Sequence, residues 1–224
     1  MIPTYKQIKT DNLVTSYIDE QFVDIAAYSN GLIVVDMQYV KMKYPGACKV
    51  AYVRKRVADM LINAAHRLPD GIHMKVWDAW RSIETQKHIY NQYRNKFKQE
   101  YPHLQESELQ NKVKQFVSEP GNEYLHGTGG AVDITLIDDY GNELSMGTKF
   151  DEFNDRTRTD YFEKRYNVRI LFNRRILYNA MTEAGFVNNP EEWWHYDYGD
   201  AIWAAITNNN IKYKSVFYQG EIHA

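Results

Sequence analysis

The order of helix-like and strand-like patterns is the feature that most constrains the fold of this chain. Apolar residues recur at three- and four-residue spacing in several segments, as in amphipathic helices. These helical segments are residues 51–68, 82–100, about 107–117 and 167–184. Between them, His73 to Asp78 and a segment from Ala131 indicate strands, and residues 139–142 indicate a hairpin turn. Because the two patterns do not alternate regularly, the sequence predicts an α+β fold with a mainly antiparallel sheet flanked by helices.

The C-terminal third adds two shorter patterns. The aromatic stretch EEWWHYDYGD, residues 191–200, indicates a further strand, and an apolar segment surrounds Trp203. Nothing that resembles a Pro-, Gly- or Ser-rich linker interrupts the chain. We therefore expect a single domain over residues 1–224.

Charge and cysteine content exclude several classes of protein. The 27 Lys plus Arg residues nearly balance the 29 Asp plus Glu residues, which argues against nucleic acid or a membrane surface as a partner. The single cysteine, Cys48, excludes an intrachain disulfide and a cysteine-based zinc cluster. A bound metal ion would need histidine and carboxylate ligands.

The N-terminal residues have neither the basic region nor the apolar region of a signal peptide. The longest apolar stretches, such as residues 32–35 and 201–206, are much shorter than the roughly 20 residues that cross a bilayer. The sequence therefore predicts a cytoplasmic location.

His126 and Asp133 form the first candidate site. They are separated by a glycine-rich loop that leads into an apolar strand, so that the imidazole and the carboxylate can approach one point. The same pattern also fits an ordinary glycine turn with an exposed histidine, and short motifs of this kind often occur without a function.

Glu192 and His195 form the second candidate site. His195 would complete a metal site with two histidines, one carboxylate and an open position for water, and Glu192 would be the unligated proton acceptor. Residues three apart face opposite sides of a regular strand, so this pairing needs a bend or bulge. The alternative is that Trp193 and Trp194 are packing residues beside a hydrogen-bonded histidine.

Arg81 is the third candidate, because it lies where a strand ends and a helix capped by Ser82 begins. Its planar cation can hold a carboxylate or a developing oxyanion. The alternative reading, a surface arginine near a helix start, is unfavourable beside the positive end of the helix dipole.

Taken together, these motifs resemble the D-alanyl-D-alanine dipeptidases of the VanX type. The resemblance runs from about Asp36 to Tyr196. It rests on the ordered motifs Trp77 to Arg81, Tyr124 to Asp133, Met146 to Asp151, Asn173-Arg174-Arg175 and Glu192 to Tyr196. Several ordered motifs at compatible spacing are more specific than any one of them. The resemblance implies the α+β fold of zinc D,D-peptidases.

The resemblance also implies the roles of individual residues. One Zn²⁺ per chain would be bound by His126, Asp133 and His195, with Glu192 as general base and Arg81 as stabiliser of the tetrahedral intermediate. Asp151 and Tyr39 would lie near the free amino group of the substrate. The remaining histidines would have no metal role; they are His66, His73, His88, His103 and His223.

The chain departs from the family pattern in two places. Tyr124 occupies the position of a serine that helps to hold the substrate carboxylate, so Tyr124 is the expected substrate-binding residue there. The stretch after Tyr39, VKMKYPG, also lacks the residue pairs that are usual in the family. Both departures concern substrate recognition and leave the expected zinc site intact.

The resemblance predicts zinc-dependent hydrolysis of a short D,D-dipeptide such as D-Ala-D-Ala, with a small dipeptide as the only expected partner and a relation to peptidoglycan metabolism. One alternative is a D,D-carboxypeptidase or related peptidoglycan amidohydrolase that acts on longer stem peptides. Two others are a catalytically silent zinc-binding module and a metal-free protein.

Overall fold

The computed structural model of the protein describes residues 1–4, 8–114, 117–121, 123–152, 154–165 and 167–222. The strands in these residues are β1 (Phe22–Asp24), β2 (Val34–Val35), β3 (Tyr52–Arg54), β4 (Ile72–Asp78), β5 (Val132–Asp138), β6 (Val187–Asn188) and β7 (His195–Asp197). The α-helices are α1 (Ile25–Tyr28), α2 (Gln38–Lys41), α3 (Lys55–Ala65), α4 (Ile83–Glu100), α5 (Glu106–Lys114), α6 (Val168–Glu183) and α7 (Ala201–Thr207).

Five of these strands form one sheet in the order β2-β4-β5-β7-β6. β2 runs parallel to β4, whereas the other neighbouring strands are antiparallel. β1 and β3 form a separate two-stranded antiparallel sheet. The predicted α+β class with a mainly antiparallel sheet is therefore confirmed.

The register of the three central strands brings polar residues from distant segments into one row. Asp78, at the end of β4, pairs with Asp133 on β5, and Asp133 pairs with His195 on β7. The register of β4 shifts between Val76 and Asp78, and such irregularities redirect side chains at the end of a strand. The sheet thus places two aspartates and a histidine next to one another.

Helices α3 and α6 contribute to the main core together with strands β4 and β5. The fully buried side chains of this layer include Val57, Leu61, Ile134, Leu177 and Met181. Burial of a side chain of this size contributes about 1.5–3 kcal/mol, so this layer holds the central strands firmly.

Helices α4 and α5 pack against each other in a second layer. The hydroxyl of Ser82 accepts a hydrogen bond from the backbone N–H of Thr85, which confirms the predicted start of α4. The apolar cluster between the helices includes Ile89, Phe97, Leu109 and Val113, and Tyr39 joins it.

Two predicted elements differ from the structure. The helix expected over residues 51–68 begins only at Lys55, because residues 52–54 pair with β1. The strand expected over residues 191–200 is limited to β7, because a turn precedes it in which Glu192 N–H donates to the Asn189 carbonyl. Aromatic residues suit a strand and a buried turn equally well, so composition alone did not distinguish them.

The other predicted elements are confirmed, with shifts of a few residues at their ends. The helix expected over residues 107–117 is α5, and residues 115–116 lie outside the described part of the chain. The apolar segment around Trp203 is α7. No helix among the described residues combines the length and the apolar composition needed to cross a membrane.

At Gly130, the loop before β5 lies very close to the backbone of Tyr198. A Cβ atom at this position would lie 2.2 Å from the carbonyl oxygen of Tyr198. We expect Gly130→Ala to lower the free energy of unfolding by about 1–3 kcal/mol, as measured by chemical denaturation. Gly220→Ala is the control, because nothing lies within 4 Å of a Cβ there. Equal stability of the two variants would contradict the close approach.

Candidate active site

Three residues converge on one point at the end of the central strands. His126 lies on a 3₁₀ helix, Leu125–Thr128, Asp133 on β5 and His195 on β7. His126 Nε2 is 3.2 Å from His195 Nδ1 and 3.4 Å from Asp133 Oδ2. His195 Nδ1 is 3.0 Å from Asp133 Oδ1. All three residues are buried, and they form a cluster of potential metal ligands.

The outer nitrogens of both histidines are already hydrogen-bonded. His126 Nδ1 donates to the carbonyl of Ala79 at 2.8 Å, and His195 Nε2 donates to Asp197 Oδ1 at 2.7 Å. Both partners accept hydrogen bonds, so in the neutral imidazoles the inner nitrogens carry lone pairs. These lone pairs face each other and Asp133, which is the arrangement that a cation stabilises.

The distances between the two imidazole nitrogens and the Asp133 carboxylate suit a zinc ion. Tetrahedral coordination at about 2.0–2.1 Å places neighbouring ligand atoms about 3.4 Å apart. Two neutral imidazoles and one carboxylate also form a donor set that zinc accepts, and three protein ligands leave a fourth position open. The residues present therefore fit the ion.

Without a metal ion, a proton can occupy the same position. Burial alone lowers the pKa of His195, but the carboxylates of Asp197 and Asp133 outweigh burial and raise this pKa well above its usual value. Burial alone raises the pKa of Asp133, but His126 and His195 outweigh it and hold this pKa well below its usual range. The cluster thus attracts positive charge.

Glu192 lies beside this cluster in the turn that precedes β7. The backbone N–H of His195 donates to the Glu192 carbonyl at 3.2 Å, which supplies the bend that the sequence requires. Glu192 Oε2 lies 3.8 Å from His195 Nδ1 and accepts a hydrogen bond from Asn189 Nδ2 at 3.4 Å. Burial raises the pKa of Glu192 to about 8, although His195 opposes the shift. The carboxyl group is therefore close to the cluster and titrates near neutral pH.

Arg81 is buried and held in one orientation. Asp78 Oδ2 lies 2.8 Å from both Nε and Nη2 of Arg81, and Nη1 donates to Gln86 Oε1 at 2.9 Å. Nη2 lies 3.6 Å from Asp133 Oδ2, and the guanidinium group stacks over the ring of Tyr39 at 4.8 Å. The cation therefore reaches the edge of the three-residue cluster.

Asp151 and Tyr39 form a hydrogen-bonded pair. The Tyr39 hydroxyl donates to Asp151 Oδ2 at 2.8 Å. Asp151 has a φ of 53°, and such left-handed backbone at a non-glycine residue is common at binding sites. Burial raises the pKa of Asp151 to about 7, although Arg81 opposes the shift.

Tyr124 lies beside Arg81, and its hydroxyl donates to the backbone carbonyl of Arg81 at 2.8 Å. The ring of Tyr124 covers Gly127 so closely that a Cβ there would lie 2.7 Å from it. The Tyr124 hydroxyl group is thus engaged in a hydrogen bond with the main chain. A substrate-binding role for Tyr124 stays a prediction.

One cleft of about 930 Å³ is lined by every residue that the sequence singled out for the site. They are Tyr39, Arg81, Tyr124, His126, Asp133, Asp151, Glu192 and His195. Residues of α4 and α5 line another part of the same cleft. The structure therefore brings all of the predicted site residues together in one cleft.

Three further residues at the site were not predicted individually. Asp78 and Gln86 orient Arg81, and Asp197 orients His195. Asp197 is two residues after His195 on one strand, so strand alternation could have placed both on the same face. No sequence pattern predicts the contact of Gln86 with Arg81, because this contact depends on where α4 begins.

The remaining histidines lie elsewhere. His73 pairs with Asp139 at the surface, and His88 contacts Gln92 on the next turn of α4. His223 lies outside the described residues. Among the described residues, the cluster of His126, Asp133 and His195 is the one group of at least three potential metal ligands.

An α+β fold with a His–Asp–His cluster beside an unligated glutamate is typical of metal-dependent hydrolases. The model of the D-Ala-D-Ala dipeptidase family, peptidase M15, matches residues 33–216. The chain therefore belongs to this family, as the sequence resemblance indicates.

Curated relatives agree with this assignment. The chain is 33% identical over 132 residues to a D-alanyl-D-alanine dipeptidase of Synechocystis sp., covering 53% of each protein. It is 39% identical over 72 residues to the Escherichia coli enzyme, covering 32% of this chain and 36% of the relative. It is 28% identical over 132 residues to the Enterococcus faecium enzyme, covering 56% and 62%. The matches thus span between 36% and 62% of the length of these relatives.

Two solved structures are more distantly similar. A zinc-bound variant of the D,D-pentapeptidase VanY has a TM-score of 0.44 and 18% identity, covering 73% of this chain and 83% of VanY. VanYB in complex with D-alanine-D-alanine has a TM-score of 0.44 and 17% identity, covering 91% and 92%.

The raised pKa of Asp151 predicts a pH-dependent stability. The folded protein keeps this proton up to about pH 7, whereas the unfolded chain, with an ordinary pKa of 3.8, loses it earlier. The folded state binds more protons between these values, so its stability falls as the pH rises through them. We expect metal-free Asp151→Asn to gain stability relative to the parent as the pH rises from about 4 to about 7, measured by thermal unfolding. Asp155→Asn, an exposed aspartate nearby, should show no such gain.

Proposed function

We propose that this protein is a zinc-dependent dipeptidase that hydrolyses short D,D-dipeptides such as D-Ala-D-Ala. The observation that carries the proposal is the buried cluster of His126, Asp133 and His195 beside the carboxyl group of Glu192. In this cluster the two imidazole nitrogens lie 3.2 Å apart, and each lies within 3.4 Å of an oxygen of the Asp133 carboxylate. Membership of the D-Ala-D-Ala dipeptidase family supports the substrate class. A single catalytic domain and a cytoplasmic location stay predictions from the sequence.

His126, Asp133 and His195 would hold the zinc ion. Asp197 and the Ala79 carbonyl would keep both imidazoles in the tautomer that directs a lone pair to the metal. When bound, zinc supplies Lewis-acid activation of a water molecule and of the peptide carbonyl.

Glu192 would transfer the proton. Its carboxylate is close to the ligand cluster but is not part of it, so it is available to accept a proton from the attacking water. The same carboxyl group would then give this proton to the leaving amine. Water is thereby divided between the two products, with OH on the carbonyl carbon and H on the amine.

Arg81 would stabilise the oxyanion that forms on the carbonyl. Asp78 and Gln86 engage part of its donor set and fix the plane of the guanidinium group. The terminal nitrogens carry the donors that a developing negative charge needs, and they are preorganised in a buried site.

Asp151 would bind the free ammonium group of the substrate, and Tyr39 would hold the carboxylate in place. A carboxylate at this position in the cleft favours a peptide whose amino terminus is free, and it disfavours a blocked one. This selectivity distinguishes a dipeptidase from an enzyme that removes the last residue of a longer stem peptide.

A panel of four peptides tests the proposal. Zinc-loaded protein is incubated with D-Ala-D-Ala, L-Ala-L-Ala, N-acetyl-D-Ala-D-Ala and a stem pentapeptide ending in D-Ala-D-Ala, and free alanine is measured with and without a chelator. We expect chelator-sensitive release from D-Ala-D-Ala only. Faster release from the pentapeptide would instead identify a carboxypeptidase, and no release from any peptide would contradict the proposal.

Replacement of Glu192 tests the proton transfer separately from metal binding. We expect Glu192→Gln to keep stoichiometric zinc, measured by elemental analysis, and to lose at least about 100-fold in kcat. Glu191→Gln is the matched control, because Glu191 is an exposed neighbour that pairs with Arg158. Near-parental turnover by the Glu192 variant would show that another group transfers the proton.

A further inference from the structure

Arg174 belongs to the Asn173-Arg174-Arg175 motif, which the catalytic steps above do not use. It is only 1% exposed, although it carries a cation. Among the described residues, no carboxylate forms an ion pair with it, whereas its neighbour Arg175 pairs with Glu163. A buried cation without a counter-ion is costly, so its environment must compensate in another way.

Backbone carbonyl groups provide this compensation. Arg174 Nε donates to the carbonyl of Met146 at 2.8 Å. Its Nη2 donates to the carbonyl of Arg156 at 2.7 Å, and its Nη1 donates to that of Arg158 at 2.6 Å. The guanidinium group also stacks over the ring of Phe162 at 4.8 Å. Burial lowers the pKa of Arg174 to about 9, which leaves it protonated at neutral pH.

These acceptors lie at both ends of one segment, the described residues 146–152 and 154–158, which we call the Asp151 loop. Met146 begins the loop, and Arg156 and Arg158 lie at its other end, so one side chain joins the two. Asn173 adds a hydrogen bond from Nδ2 to the carbonyl of Ser145 at 2.9 Å. Helix α6 therefore closes the loop that carries Asp151.

The loop also contacts the residue that follows Glu192. Trp193 Nε1 donates to Thr148 Oγ1 at 2.8 Å, and the backbone N–H of Trp193 donates to the carbonyl of Thr157 at 3.0 Å. Because both ends of the loop are fixed by Arg174, its middle can keep Asp151 in a left-handed conformation that few non-glycine residues adopt.

We propose that Arg174 is a positioning residue for substrate recognition, which fixes both ends of the Asp151 loop so that Asp151 faces the ammonium group of the dipeptide. This role rests on the proposed function, because it requires Asp151 to bind the substrate. Only an arginine can do this, since its planar fork donates in several fixed directions at once and a lysine does not.

Three variants test the role. We expect Arg174→Lys to raise KM for D-Ala-D-Ala about tenfold and to change kcat much less, because binding of the ammonium group is weakened. Arg175→Lys is the matched control on the same helix, and it should leave KM unchanged. Asn173→Ala removes one hydrogen bond beside the loop and should raise KM by a smaller factor. If Arg174→Lys does not fold, Asn173→Ala is the variant that tests the role.

A double-mutant cycle with Asp151→Asn separates positioning from general destabilisation. If Arg174 acts through Asp151, Arg174→Lys raises KM in the parent but not in the Asp151→Asn background.

Hydrogen–deuterium exchange gives a readout that is independent of activity. Exchange should increase in peptides covering residues 146–159 of Arg174→Lys, and not in those of Arg175→Lys.

The outcomes distinguish this role from the proposed function. If the parent hydrolyses none of the dipeptides, the proposed function fails and the recognition role fails with it. If the parent is active but exchange in the loop is unchanged, or the KM effect is the same with and without Asp151, the role of Arg174 alone is overturned.

Discussion

The register of the three central strands is the constraint on which the candidate site depends. Pairing of Asp78 with Asp133, and of Asp133 with His195, brings charged groups together in the interior. None of these groups is buried alone, because Asp78 pairs with Arg81 and His195 pairs with Asp197. Buried charges are tolerated when they are paired and hydrogen-bonded, and a shift of one residue in the register would separate them. The core packed by helices α3 and α6 keeps that register.

Two buried arginines hold loops next to the cleft in the same manner. Arg174 donates to carbonyl groups of the Asp151 loop, and Arg54 donates to the carbonyls of Thr128 and Glu20. Thr128 belongs to the 3₁₀ helix that carries His126. Irregular backbone beside a site cannot satisfy its own carbonyl groups, so long side chains from regular elements do it instead. The regular core thereby stabilises the irregular parts of the cleft.

Much of the fold was predictable where local signals were strong. Ser82 caps α4 as the sequence pattern predicts, because side-chain capping depends only on neighbouring residues. The aromatic pattern predicts a strand for the turn before β7, because aromatic residues pack equally well in either conformation. Local periodicity predicts a helix for residues 52–54, which pair with β1, because a partner strand far along the chain leaves no local signal.

The motifs alone predict the residues of the candidate site, which are two histidines, a carboxylate, a further glutamate and an arginine, and they indicate the family. Three features depend on the folded chain: the approach of both imidazoles to within 3.4 Å of the Asp133 carboxylate, the orientation of His195 by Asp197, and the closure of the Asp151 loop by Arg174. Motifs depend on neighbouring residues and can be read along the chain. These distances depend on strand register and on contacts between residues far apart in sequence, which arise only when the chain packs.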